Sequence, residues 1–237
     1  MPLSQANFER LIIGPQPASE EHRRQLADFL KAAGAVAAVH SDAAVKSSAA
    51  GYQVGIRQEV VMLLGCHSFN LFIELISAVM AGRFDAACYL ARPIWDVGPI
   101  LGYVGNDEIL ARAFRRGDEI TASSARKAMV EQLRRFDPDS ARDVDRILSE
   151  DFGPAQEMSH VNLIHVSKLV AATGPSSKTA TLGGHVDREE AVGLLRVAAL
   201  GESLSLTALR QVGGFGKAWD DRCVRALGKL LEWSKSA

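Results

Sequence analysis

The amino-acid sequence predicts an all-α protein, an up-and-down helical bundle with additional helices. Helix start and stop signals punctuate the chain, and no alternation of strand-like and helix-like segments is present. The links between the long segments are short, which favours antiparallel neighbours. With 237 residues, of which 47% are hydrophobic, the chain can bury one sizeable core. We therefore predict a flexible lead-in over 1–18 and a single helical domain over 19–237.

The first half of the chain predicts three long helices. The first spans about 19–45 and begins at a capping serine followed by two glutamates. The second spans about 52–82 and is strongly apolar. The third spans about 85–104 and contains Pro93 and Pro99, each of which removes one backbone donor. We expect kinks near both prolines.

The second half contains shorter segments, several of which begin with aspartate, a residue that caps helix starts. A loop rich in glycine, serine and threonine interrupts them, and its Gly-Gly pair predicts a hairpin turn. The predicted elements are helices over about 118–135, 137–148, 154–172, 187–212 and 216–235, and one small β-hairpin around 178–187.

Charge and cysteine content restrict the classes of function. The formal net charge of −1 gives no overall attraction to nucleic acid or to an anionic membrane. Three widely spaced cysteines without a CxxC pair indicate free thiols in a reducing compartment, and no secretion signal is present, so we predict a cytoplasmic protein. The apolar stretch 60–80 has only 14 uncharged residues between Glu59 and Glu74, too few for a membrane span.

Two charges stand out in the apolar segment 86–104. Arg92 and Asp96 are the only charged residues in it, and a helix that is apolar on all sides is expected to be buried. Buried charges need partners and hydrogen bonds. The order of arginine before aspartate is the less favourable one for an isolated helix. We therefore expect the pair either to contact other helices or to line a cleft.

The candidate partners of this pair are Glu74 and two histidines of the 154–172 helix. His165 shares a face with apolar residues and is the better candidate for a buried imidazole, while His160 lies on another face. Such a polar cluster could hold a phosphate, transfer a proton, or only fix the register of the helices. These three roles remain open at this stage.

A metal site is the weaker alternative. Glu157 and His160 have the ExxH spacing of di-metal helical bundles, but a second ExxH is missing from the sequence. The glycine run 213–216 lacks the spacing of a phosphate-binding loop, and no dinucleotide fingerprint occurs. The sequence therefore predicts no cofactor.

Three segments, 89–104, 106–118 and 157–165, together resemble a bacterial HEPN-like group of helical proteins. The likeness consists of an Arg-Pro-x-x-acid helix, a following helix with a basic end, and a later Ser-His pair. It implies a bundle fold and, for the wider group, a link to toxin–antitoxin and phage-defence systems in which some members cleave RNA. Ribonuclease members carry an arginine and a histidine with four to six residues between them, and this chain departs from that pattern.

Three functional hypotheses follow. The first is an interaction or ligand-binding module, with a homodimer as one form, that contains an internal polar cluster. The second is a HEPN-like protein that binds or cleaves RNA with Arg92 and either His160 or His165. The third is a metal-dependent enzyme that uses Glu157 and His160.

Overall fold

The computed structural model describes residues 17–48, 54–136, 138–139, 141–142, 145–146 and 188–236. Every regular element in these residues is an α-helix, which confirms the predicted all-α bundle. The predicted 154–172 helix and the hairpin around 178–187 lie outside the described residues. The helices within the described part are α1 Pro17–Gln25, α2 Ala27–Ser47, α3 Ile56–Met80, α4 Phe84–Asn106, α5 Glu108–Arg115, α6 Ala122–Phe136, α7 Arg188–Gly213 and α8 Lys217–Ser236.

Three helices form the centre of the bundle. The helices α3, α4 and α7 pack against one another, α8 packs against α2 and α7, and α6 covers part of α4. The largest core side chains include Trp95 of α4 and Trp219 of α8, which are 1% and 0% exposed. The indole Nε1 of Trp219 donates to the carbonyl oxygen of Val39 at 3.1 Å, so α8 is joined to α2 by a buried hydrogen bond as well as by apolar contact.

The link between α3 and α4 is as short as the sequence predicts. Gly82 has a φ of +68°, a conformation in which a side chain would be strained. The amide of Arg83 donates to the carbonyl oxygen of Ala78 at 2.8 Å, which satisfies one of the open carbonyls at the end of α3. The chain therefore turns back at once, and α4 continues through both of its prolines.

The helices α4 and α7 cross very closely at two glycines. A Cβ atom built on Gly98 would lie 2.8 Å from the Cβ of Leu204. A Cβ atom on Gly201 would lie 2.7 Å from Cγ2 of Ile94 and 3.0 Å from its carbonyl oxygen. Both glycines therefore allow a backbone approach that alanine would prevent.

Two predicted helices differ from the observed ones, one by a break and one by a later start. The helix expected over 19–45 is divided into two helices at Leu26, whose φ of −113° and ψ of 21° are not helical. The side chain of Leu26 packs into the core and is 2% exposed. The helix expected from Asp118 begins at Ala122. The carboxylate of Asp118 contacts Arg116 at 3.0 Å, and Thr121 accepts the capping hydrogen bond instead.

Candidate functional site

Arg92 and Asp96 pair with each other on α4. The Nε atom of Arg92 donates to Oδ2 of Asp96 at 3.0 Å. Their side chains are 34% and 26% exposed, so the pair lies beside the core and not inside it. The residues around them on the helix, Ala91, Ile94 and Trp95, are buried. The pair thus lies at the edge of the apolar face of α4, where the charges keep contact with water.

The same two side chains line a cleft between α4 and α6. The cleft has a volume of about 110 Å³. This is well below the roughly 300–1,000 Å³ of a drug-sized ligand pocket, so it fits a small ion or the head group of a larger molecule. Its lining consists of Arg92, Trp95, Asp96 and Pro99 from α4, and Ala122, Ser123 and Arg126 from α6.

Two features give this cleft an electropositive character. The lining contains two guanidinium groups, those of Arg92 and Arg126, and one carboxylate, that of Asp96. The other feature is the first turn of α6, a helix of 15 residues, which contributes Ala122 and Ser123. Helix starts carry partial positive charge on their unsatisfied amides.

Trp95, which also lines the cleft, carries a buried hydrogen-bond donor. Its side chain is 1% exposed, and its Nε1 atom is buried and has no hydrogen-bond partner in the described part of the chain. A buried donor left unsatisfied costs about 1–3 kcal/mol, and native proteins leave few of them. A ligand oxygen in the cleft is the kind of partner that would satisfy the indole N–H.

The other predicted site residues do not join this cleft in the described part of the chain. Glu74 is exposed on α3 and so does not provide a buried partner. Glu157, His160 and His165 lie outside the described residues. Among the residues that the structure describes, no group of three or more histidines, cysteines and carboxylates is arranged to hold a metal ion.

A second polar cluster, which the sequence analysis missed, lies deep in the core. Glu202 of α7 is 0% exposed, and its Oε1 atom is 2.5 Å from Nε2 of His40 on α2. Its Oε2 atom accepts a hydrogen bond from the hydroxyl of Ser68 on α3 at 2.8 Å. The hydroxyls of Ser68 and Ser205 are 2.7 Å apart. The ring of His40 stacks on Phe69 with centroids 4.5 Å apart.

The chemistry of this buried network is that of a structural link. The imidazole of His40 and the hydroxyl of Ser68 converge on the carboxyl group of Glu202. The hydroxyl of Ser205 meets Ser68 and the carbonyl oxygen of Gly201 instead. Ser68, Glu202 and Ser205 are all 0% exposed. The network therefore satisfies a buried carboxyl group and ties three helices, α2, α3 and α7, in one register.

The signal that could have revealed this network is the one that revealed Arg92 and Asp96. Between Arg196 and Arg210, Glu202 is the only charged residue. A single carboxylate in an apolar helix predicts a buried partner. The identity of that partner was not predictable, because His40 is 162 positions away and only the packing of α2 brings it near.

Comparison with known proteins does not extend this description. No family model, no curated protein and no solved structure matches the chain. The HEPN-like resemblance consequently stays a prediction from the short segments that carry it.

Proposed function

We propose that this protein is a ligand-binding helical bundle that holds a small anionic group, a carboxylate or a phosphate, in the cleft between α4 and α6. The observation that carries the proposal is the buried Nε1 of Trp95, which has no hydrogen-bond partner among the described residues and belongs to a residue that lines the cleft together with Arg92 and Arg126. Hydrogen bonds from neutral and cationic N–H groups to an oxyanion are among the stronger ones in proteins.

The dimensions of the cleft favour binding over turnover of a large substrate. A volume of about 110 Å³ accommodates several water molecules or one oxyanion. Arg92 already donates its Nε to Asp96, which fixes the plane of the guanidinium group. We therefore expect a modest affinity, one that depends on charge and on the geometry of a few donors.

Titration of the full-length protein with inorganic phosphate and, separately, with acetate, at constant ionic strength, tests the proposal. We expect a binding isotherm by calorimetry and an increase of the melting temperature with ligand concentration, since a ligand of the folded state stabilises it. A change in the emission of the buried Trp95 should follow the same isotherm. A wild-type protein that shows no saturable response to either anion would overturn the proposal.

Matched variants separate binding in the cleft from general attraction of anions. Arg126→Gln and Trp95→Phe should each raise the Kd by about tenfold or more, because a hydrogen bond to a charged group contributes about 1.5–3 kcal/mol. Arg135→Gln is the control, since Arg135 is exposed on α6 outside the cleft lining and its loss changes the net charge equally. Equal weakening by Arg126→Gln and Arg135→Gln would contradict the assignment of the cleft.

RNA cleavage is the second function that the residues favour, because Arg92 lines a cleft that suits a phosphate. His160 and His165, the histidines that this chemistry would need, lie outside the described residues. Incubation with total RNA tests the idea. The idea is supported if the Arg92→Ala variant loses cleavage and one of the two histidine variants, His160→Ala or His165→Ala, loses it as well. Intact RNA after incubation with the wild-type protein would argue against it.

A further inference from the structure

A groove between α2 and α8 has the features of a docking surface. It has a volume of about 250 Å³, more than twice that of the α4–α6 cleft. Its lining consists of Ala35, Ala38, Val39 and Asp42 from α2, and Arg222, Arg225, Ala226 and Lys229 from α8. The groove shares no lining residue with the α4–α6 cleft, so the two proposals can be tested independently.

The rim of this groove is basic. Arg222, Arg225 and Lys229 lie on one face of α8 and extend over about 10 Å of its axis. Asp42 forms an ion pair with Arg222, so the lining carries three cations and one carboxylate, a formal charge of +2. Within the part of the chain that the structure describes, Arg225 and Lys229 form no ion pair.

The floor of the groove is apolar and made of small side chains. Ala35, Ala38, Val39 and Ala226 provide it, and Val45, 52% exposed, lies two turns beyond Ala38 on α2. Small residues let another backbone approach closely, and an amphipathic helix in a groove uses apolar contacts at its centre and charged contacts at its edge.

We infer that this groove, called here the α2–α8 groove, docks an acidic amphipathic helix of a partner protein. A second copy of the chain related by a two-fold axis would bring two grooves of charge +2 face to face, and like charges oppose such a contact. A nucleic acid would meet an apolar floor without an aromatic side chain on which a base could stack. An acidic helix complements both the rim and the floor.

The test uses the full chain and a fluorescein-labelled model peptide that forms a helix with glutamates along one edge and alanine and leucine along its centre. Fluorescence anisotropy should show saturable binding that weakens with increasing salt. A peptide of the same composition in scrambled order, which has no such face, should bind at least tenfold more weakly. A wild-type protein that fails to distinguish the two peptides would overturn the inference.

Charge reversal in the groove locates the interaction. The double variant Arg225→Glu with Lys229→Glu should weaken binding of the acidic peptide at least tenfold and should bind a peptide with lysine in place of glutamate. The double variant Lys217→Glu with Lys235→Glu, at exposed positions of α8 outside the groove lining, is the matched control and should leave binding within twofold of the wild type. Unchanged binding by the double variant would overturn the inference.

Single-stranded RNA of equal charge distinguishes the other class of anionic partner. We expect RNA to bind more weakly than the acidic helix and to be insensitive to the groove variants. Tighter binding of RNA than of the peptide, lost on reversal of Arg225 and Lys229, would assign the groove to a nucleic acid and contradict the proposed occupant.

Discussion

At the scale of single residues, the charged groups in the apolar helices differ in how deeply they are buried. Arg92 and Asp96 stay at the edge of an apolar helix, where the pair lines an open cleft. Glu202 is fully buried and is satisfied by His40 and Ser68. Exposed ion pairs contribute little to stability, whereas removal of one partner from a buried pair is costly. The two sites should therefore respond very differently to mutation.

We expect Glu202→Ala to lower the free energy of unfolding by about 3–5 kcal/mol, because His40 and Ser68 lose their common partner in the core. Glu202→Gln keeps an oxygen acceptor and should cost less. Urea denaturation measures both changes. Glu232→Ala, at an exposed position of α8, is the control and should change stability by no more than about 0.5 kcal/mol. A Glu202→Ala protein as stable as that control would contradict a stabilising role for the network.

The three cysteines should differ sharply in reactivity. Burial, with smaller contributions from Asp220 and Glu202, raises the pKa of Cys223 to about 11 despite the opposing effect of Arg210. Cys66 is exposed at the surface of α3, and partial burial of its thiol raises its pKa as well. Cys88 is buried at 2% exposure. Because the thiolate is the reactive form, a raised pKa slows reaction at neutral pH.

With a thiol-reactive dye at pH 7–8, we expect the native protein to label at Cys66 and the denatured protein to label at all three cysteines. The native rate should rise with pH about tenfold per unit below the pKa of Cys66, as the thiolate fraction rises. Mass spectrometry identifies the labelled site. Rapid native labelling at Cys223 would show that the core opens readily at α8.

At the scale of elements, the close crossing of α4 and α7 sets the spacing of the bundle centre. Gly201→Ala should destabilise the protein by about 1–3 kcal/mol, because the new methyl group would meet the backbone carbonyl of Ile94, which cannot move aside as a flexible side chain can. Thermal unfolding measures the loss.

Gly228→Ala, another glycine-to-alanine substitution, is expected to change the stability in the opposite direction. Gly228 lies within α8, and a Cβ atom there would meet open space, so the variant should be about 0.5–1 kcal/mol more stable than the wild type. Equal effects of the two substitutions would contradict the tight crossing of α4 and α7.

The starts of the helices show what local sequence can and cannot predict. Asp107 caps α5, with its Oδ1 atom 2.7 Å from the amide of Ile109. Asp118 offers an equally good cap, yet the helix begins four residues later. The carboxylate of Asp118 pairs with Arg116 and does not cap a helix amide. Local propensity contains no information about which of these two bonds the carboxylate will make.

At the scale of the whole molecule, the all-α class was predictable, because the caps, the breakers and the apolar segments are encoded locally. The candidate site was predictable only in part. Arg92 and Asp96 are conspicuous in an apolar segment, but the contributions of Arg126 and Ser123 depend on the packing of α6 against α4. The His40–Glu202 network depends likewise on contacts between helices far apart in the sequence.

Two described helices, α3 and the Ala191–Gly213 part of α7, are long and apolar enough to cross a membrane by length and composition. Fractionation of a lysate tests whether either helix enters a membrane. We expect the protein to stay in the supernatant after ultracentrifugation of a lysate, since Glu202 in α7 is paired inside the bundle and would cost about 2.5–3.5 kcal/mol at a bilayer centre. Sedimentation that only detergent reverses would contradict this expectation.

The central place of α7 also has a consequence for biosynthesis. The carboxyl group of Glu202 meets an imidazole 162 residues earlier in the chain, and a ribosome needs on the order of 10–30 s to add that many amino acids. In the later part of that interval α3 and α4 have been synthesised, but α7, which packs against both in the folded protein, has not. We therefore expect chaperones that bind emerging chains to hold this protein until α7 leaves the exit tunnel.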